Sequence, residues 1–146
     1  MKQSILCLVI ATSLMSGASA CEDVSTLVRY DDVKEALLAG KQVSVLMDFA
    51  QCTDDANRDK SGPKLKGGYR INSFLIPDDA YIAFSDAHET LNKDEKPKTE
   101  FIRYRLTADN KLTIRTFSIT GDVVTPRARF TCHLNAGARF VVSPGA

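Results

Sequence analysis

Strand-like runs follow one another closely through the second half of this chain, and they limit its fold more than any other feature. The runs lie between residues 69 and 142 and are rich in β-branched and aromatic side chains. They read YRINSFLI, AYIAFSD, EFIRYRLT, KLTIRTFSI, ARFTCHL and ARFVV. Links as short as residues 108–110 favour β-hairpins, which join antiparallel neighbours. We therefore expect most of the chain to form an antiparallel meander sheet.

The run FIRYRL shows the alternation of a strand that has one buried face and one wet face. One set of alternate positions is Phe101, Arg103 and Arg105, and the other is Ile102, Tyr104 and Leu106. Such a strand covers a core on one side only, so something else must close that core.

A short helix is expected ahead of the meander. The run YDDVKEALLA places Tyr30, Val33 and Leu37, with Leu38 as a further candidate, on one apolar stripe, and Gly40 ends the helix. A helix this short gains its stability from burying that stripe against a sheet.

One more strand follows the helix. In QVSVLMDFAQC the side chains of Val43, Val45, Met47 and Phe49 alternate with more polar neighbours and should face the core. Residues 53–68 are polar and rich in Gly, Pro and charge, which favours a surface loop. The predicted fold is thus mainly β (α+β): an antiparallel meander sheet of about seven strands, curled or partly closed into a barrel, with one N-terminal helix packed on it.

The N-terminus has the order of an export signal: Lys2, an apolar run over 5–15, and small residues directly before Cys21. We expect residues 1–20 to be a signal peptide and residues 21–146 to be a single domain. About eleven apolar residues are too few for a transmembrane helix, which needs about twenty. The predicted location is periplasmic or secreted.

Three cysteines remain once Cys7 leaves with the signal peptide. Cys52 and Cys132 each end a strand-like run and are the expected disulfide, whereas Cys21 lies at a terminus. Cys21 is a candidate for lipidation, which would anchor the protein to a membrane, although Ala18 stands where lipoprotein signals usually have Leu. The alternative is ordinary cleavage with Cys21 free, clipped or capped.

Charge and motifs exclude several classes of partner. The chain has 19 basic and 18 acidic side chains, and loss of residues 1–20 removes one lysine, so the remaining charges cancel. No nucleic-acid partner is expected from that balance. No nucleotide-binding motif or Cys-x-x-Cys pair occurs, so neither a cofactor nor a metal is expected. Asp55, Asn57 and Asp59 have the first spacings of a calcium loop, but Lys60 replaces its glycine and Lys66 its glutamate.

Two segments are candidate binding sites. Lys64, Lys66 and Arg70 surround the glycine pair 67–68 and could hold an anion, although paired glycines more often mark a sharp turn.

The second candidate is FSDAHETL, which brings Ser85, Asp86 and His88 together in sequence. Catalysis would require these side chains to converge, and no nucleophile-elbow motif occurs. The alternative is a strand end, in which Asp86 and Thr90 bind turn amides and His88 is partly exposed. His133 is expected to be a surface residue of a strand.

The order of these segments resembles the VirK family of small exported bacterial proteins. The resemblance is carried by YDDVKEALLAGKQVSVLMDFAQC, GGYRINSFLI, IAFSDAHETL, FIRYRL, FTCHL and the terminal RFVV. It implies an association with virulence or host interaction, without an established biochemical activity. The resemblance also implies a recurring cysteine pair at Cys52 and Cys132.

Together with the absence of a catalytic motif, the resemblance favours an exported, non-enzymatic accessory protein. We expect this protein to be a monomer that binds an unknown protein or small ligand. The alternatives are a small periplasmic or secreted hydrolase that uses His88 and Asp86, and an envelope lipoprotein with a structural role.

Overall fold

A computed structural model of the chain describes residues 24–143. The predicted signal peptide, Cys21 and its lipidation lie outside the described residues. The helix is α1 (Tyr30–Leu38). The strands are β1 (Ser25–Leu27), β2 (Val43–Asp48), β3 (Thr53–Asp54), β4 (Asn57–Ser61), β5 (Lys66–Arg70), β6 (Tyr81–Leu91), β7 (Pro97–Thr107), β8 (Lys111–Thr120), β9 (Val123–Leu134) and β10 (Gly137–Val142).

The strands belong to one sheet whose main path has the order β5-β2-β10-β9-β8-β7-β6. Strand β1 pairs with β10, and β3 pairs with β4 and β9. Strands β6 to β9 are the predicted antiparallel meander. Strand β10 meets β9 in parallel over two positions and pairs with β2 in antiparallel fashion. Near the two ends of the sheet, Leu75, which follows β5, exchanges backbone hydrogen bonds of 2.9 and 2.8 Å with Ala83 in β6. The prediction of a mainly β, partly closed barrel with one helix is therefore confirmed.

The helix packs on the sheet through the predicted stripe. Tyr30, Val33 and Leu37 are buried with the core side chains of the strands. Leu38 is 66% exposed, so its assignment to the stripe was wrong, because one step along a helix rotates a side chain by about 100°. Gly40 has φ of +72° and ends the helix in a conformation that favours glycine.

The predicted disulfide between Cys52 and Cys132 is present, and both residues lie in the core. It joins the segment after β2 to β9, 80 residues further along the chain. No helix within residues 24–143 is long and apolar enough to cross a membrane.

The prediction of a surface loop over 53–68 was wrong. Strands β3 and β4 form a hairpin there, and β3 also pairs with β9. Backbone hydrogen bonds hold this hairpin, so it needs few buried side chains. The glycine pair belongs to β5, where a Cβ atom on Gly68 would lie 3.0 Å from Leu46 of β2.

Two strand boundaries also differ from the prediction. The run that starts at Tyr69 ends as a strand at Arg70, and residues 71–74 are irregular. The segment around His88 is not a strand end, because β6 continues to Leu91 against β7. The cross-strand partners supplied by β7 outweigh the polar character of this stretch.

Candidate functional site

Three arginines stand side by side on the outer face of the meander. Arg103 in β7 is directly opposite Arg115 in β8, and Arg115 is directly opposite Arg129 in β9. Side chains one position away, among them Tyr104, point to the other face and are buried in the core. The exposed arginines therefore form a row across three adjacent strands.

This row lies on the floor of an open cleft of about 510 Å³. Ser85 continues the row into β6, where it is opposite Arg103. Residues 73–75 form a wall of the cleft, because the backbone hydrogen bonds between Leu75 and Ala83 hold them along the edge of β6. Arg105 and Thr113, paired with each other, occupy the next row on the same face. We call this space, around Arg103, Arg105, Arg115 and Arg129, the arginine cleft.

Two of the four arginines already have partners. Arg129 Nε lies 2.7 Å from Asp55 Oδ2, and Asp55 also accepts a hydrogen bond from the Thr131 hydroxyl. The guanidinium carbon of Arg105 lies 4.0 Å from the centre of the Tyr81 ring, a cation–π contact. These contacts orient the two side chains at opposite ends of the cleft.

Arg103 and Arg115 differ from them, since within residues 24–143 neither forms a salt bridge or a cation–π contact. The described lining of the arginine cleft also contains no Asp or Glu. Like charges directly opposite each other on neighbouring strands are destabilising. The cleft therefore carries positive charge that an anion would neutralise.

The structure separates the residues predicted from FSDAHETL. Ser85 is opposite Arg103 and lines the arginine cleft. Asp86 and His88 alternate with Ser85 along β6 and so lie on the other face. His88 Nδ1 is 3.8 Å from Asp86 Oδ2. The three side chains do not converge as a catalytic triad requires.

Asp86 and His88 instead belong to a charged cluster at the far end of the hairpins. His88 Nε2 lies 3.5 Å from Glu100 Oε2, and Lys98 Nζ lies 2.6 Å from Glu100 Oε1. The hydrogen bond from Lys98 lowers the pKa of Glu100, and His88 adds to this effect against the opposing effect of burial. Acids and bases are paired here, whereas Arg103 and Arg115 of the arginine cleft have no acidic partner within the described residues.

The residues of the predicted anion site around the glycine pair are spread along β5 and the segment before it. Lys66 Nζ lies 3.5 Å from Asp48 Oδ2, so its charge already has a partner. Arg70 stands four residues further along β5, about 13 Å away at the rise of a strand, and Lys64 precedes the strand. These three residues lie outside the lining of the arginine cleft.

The first acidic residue of the calcium-like spacing has another role. Asp55 binds Arg129 and Thr131, and the neighbouring Asp54 accepts a hydrogen bond from the backbone of Ala56. Across residues 24–143, no group of three or more His, Cys, Asp or Glu side chains is arranged to hold a metal ion. His133 is an exposed strand residue opposite Lys111, as expected.

Sequence reasoning missed the arginine cleft, although part of its signal was present. The alternation in FIRYRL placed Arg103 and Arg105 on the same face of their strand, and in the structure both are exposed. The short link at 108–110 sets the register that places Arg103 opposite Arg115. Arg129 could not be placed in this way, because the register of β8 and β9 shifts between Arg115 and Phe117.

Comparisons with known proteins agree on one family. The family model described as VirK protein matches residues 26–122. The chain is 36% identical over 94 residues to the uncharacterized protein y4wH of Sinorhizobium fredii, an alignment that covers 64% of each protein. It is 32% identical over 114 residues to an uncharacterized protein of Rhizobium radiobacter, from the region 3' of pinF2, covering 77% of this chain and 78% of that one.

A solved structure gives the same result for the fold. The crystal structure of lpg1832, a VirK family protein from Legionella pneumophila, matches with a TM-score of 0.68 at 17% sequence identity. The match covers 79% of this chain and 97% of that one. The fold and the family match together confirm the resemblance seen in the sequence: the chain belongs to the VirK family.

Proposed function

We propose that this protein is an exported, non-enzymatic accessory protein that binds an anionic ligand or partner through the arginine cleft. It acts in virulence or host interaction, as the family resemblance implies, and it acts as a monomer. The observation that carries the proposal is the direct opposition of Arg103 and Arg115 across β7 and β8 without a carboxylate partner in the described chain.

The physical reason is electrostatic. Arginine presents planar donors that match carboxylate, phosphate and sulfate groups, and a charge-assisted hydrogen bond is about twice as strong as a neutral one. An anion that contacts both guanidinium groups removes their mutual repulsion and adds these bonds. In the unliganded protein, the repulsion between the two arginines has a small cost in stability, and the same two side chains form a site for negative charge.

Two further observations support the other parts of the proposal. The disulfide between Cys52 and Cys132 suits an oxidising compartment, as does the signal-like N-terminus. A binding role rather than catalysis is supported by the position of Ser85, which lies on the opposite face from Asp86 and His88.

A thermal-shift panel tests the binding role. The panel contains a carboxylate, a phosphate ester, a sulfate ester and an acidic peptide at constant ionic strength. At least one class should raise the melting temperature of the wild type and of Arg139→Gln, an exposed arginine on β10 outside the cleft. The same anion should have little effect on Arg103→Gln and Arg115→Gln. Equal shifts in all four proteins, or none in any, would refute the proposal.

A further inference from the structure

We infer that the ligand of the arginine cleft is a small phosphate monoester whose phosphate is carried on an aromatic or other flat apolar group. This inference rests on the proposed binding function and names the chemistry of its ligand. Four features of the cleft support it: its unpaired positive charge, the spacing of its donors, the apolar surfaces beside them, and its volume.

The charge of the cleft favours a dianion over a monoanion. Asp55 neutralises Arg129, whereas Arg105 keeps its positive charge in its contact with the Tyr81 ring. Arg103 and Arg115, which have no partner in the described chain, add two further positive charges, and the described lining contains no acid. A phosphate monoester carries about −1.5 to −2 charges at neutral pH, whereas a carboxylate or a sulfate ester carries one.

The donors are spaced for one compact anion rather than for two separate ones. Directly opposite residues on antiparallel strands have Cβ atoms about 4.5–5.5 Å apart. Two guanidinium groups that start so close can both reach one tetrahedral group with three terminal oxygens. A planar carboxylate has two oxygens, which a single arginine already satisfies in a bidentate pair. Ser85 and Thr113 add hydroxyl donors on the same face.

Apolar surfaces lie on one side of the arginine row and beyond its end at β6. Phe101 lies two residues before Arg103 on the same face of β7, and its ring centre is 6.3 Å from that of Phe117 on β8. On the edge of β6, Phe74 and Leu75 belong to the wall, and Leu75 is 70% exposed. A ligand whose phosphate sits on the arginines would therefore place its carrier group against one of these surfaces.

The size of the cleft favours a small molecule. Small-molecule sites have volumes of about 300–1,000 Å³, and the arginine cleft, at about 510 Å³, falls in this range. Its mixed lining also fits such sites, where a few polar groups orient a ligand that is held largely by apolar contact.

Calorimetric titration of the purified protein at pH 7.5, in a buffer without phosphate, tests this inference with four probes. Phenyl phosphate should bind about ten-fold or more tightly than phenyl sulfate, which has the same shape and one charge fewer. Its affinity should exceed that of benzoate and that of inorganic phosphate by a similar factor. If phenyl sulfate or benzoate binds as tightly as phenyl phosphate, the charge argument fails.

Variants locate the binding. Arg103→Gln and Arg115→Gln should each weaken phenyl phosphate binding by about ten-fold or more, since each loses a charge-assisted hydrogen bond. Arg139→Gln, with the same loss of charge, should bind like the wild type. Phe101→Ala and Leu75→Ala test the two apolar surfaces, and one of them should weaken phenyl phosphate binding but leave inorganic phosphate binding unchanged. Unchanged phenyl phosphate affinity in both cleft variants would overturn the inference.

The failures of the inference and of the proposed function are distinguishable. A carboxylate or acidic peptide that binds through Arg103 and Arg115, with no binding of phenyl phosphate, would overturn only the phosphate inference. Absence of binding by every anion in the panel would overturn both.

Discussion

Removing one arginine from the row should stabilise the unliganded protein. Most surface substitutions either cost stability or leave it unchanged. A gain in stability at these positions would therefore indicate repulsion between the arginines. Arg115 is opposite Arg103 on one side and Arg129 on the other, whereas Arg103 has one arginine neighbour in the row. Because Asp55 neutralises Arg129, the repulsion in the row is mainly that between Arg103 and Arg115, so Arg103→Gln and Arg115→Gln should each stabilise the protein.

The expected size follows from cross-strand energetics. A directly opposed pair contributes roughly 0.2–1 kcal/mol, with a destabilising sign for like charges. We expect Arg115→Gln and Arg103→Gln each to raise the free energy of unfolding by about 0.5 kcal/mol, since each removes the same opposed pair. For a domain of this length, about 0.5 kcal/mol corresponds to about 2 °C in melting temperature.

Thermal and urea unfolding at two salt concentrations provide the assay. The Debye length falls from about 10 Å at 0.1 M salt to about 3 Å at 1 M, so the gain should disappear at high salt. The double variant should gain less than the sum of the single variants, because the first substitution already relieves the Arg103–Arg115 contact. Arg139→Gln is the control and should show no gain.

The reasoning would be refuted if both cleft variants were less stable than wild type at low salt. It would also be refuted by a gain of the same size at 1 M salt, because such a gain would not arise from repulsion between charges.

Three other predictions concern stability. Removing the disulfide by a double Cys→Ser substitution should lower the free energy of unfolding by about 4.5 kcal/mol, because the bond closes a loop of 80 residues in the unfolded chain; a loss below about 1 kcal/mol in urea unfolding would contradict this. Gly137→Ala should cost about 3 kcal/mol, since φ is +97° and the new Cβ would lie 2.9 Å from Cys52 Sγ. Gly121→Ala, with φ of +58° and open space, should cost about 1 kcal/mol in the same assay, and equal costs would refute the contact argument. A hydrogen bond from Lys111 lowers the pKa of Asp109 to about 2. The contribution of the ionised Asp109 carboxylate to stability is therefore present above pH 4 and is lost as the pH falls towards 2. Thermal unfolding of Asp109→Asn across that range should therefore show a weaker dependence on pH, and an unchanged dependence would contradict the assignment.

The sequence predicted the parts of the fold that depend on local pattern. Alternation in Val43, Val45 and Met47 predicted their burial in β2, and helical spacing predicted that of Tyr30 and Val33. Hairpin links predicted the meander from β6 to β9. These features follow from the periods of strands and helices, which one sequence displays directly.

Long-range pairing could not be predicted in this way. The polar hairpin of β3 and β4 depends on β9 as a partner for Thr53, and the extension of β6 through His88 depends on β7. Nothing within either segment identifies those partners. The same limit applies to the candidate site, because Arg103, Arg115 and Arg129 become neighbours only once the registers of three strands are set.

A titration followed by NMR tests the central claim, that the arginine cleft binds an anion, most directly. Phenyl phosphate would be added to ¹⁵N-labelled protein while backbone amides and arginine Nε–H groups are monitored. The expected result is that the largest shifts fall on the Nε–H groups of Arg103 and Arg115 and on neighbouring amides of β6 to β8. Largest shifts at Lys64, Lys66 and Arg70 or around His88 would contradict the claim. So would the absence of saturable shifts when phenyl phosphate, phenyl sulfate, benzoate and an acidic peptide are each added in turn.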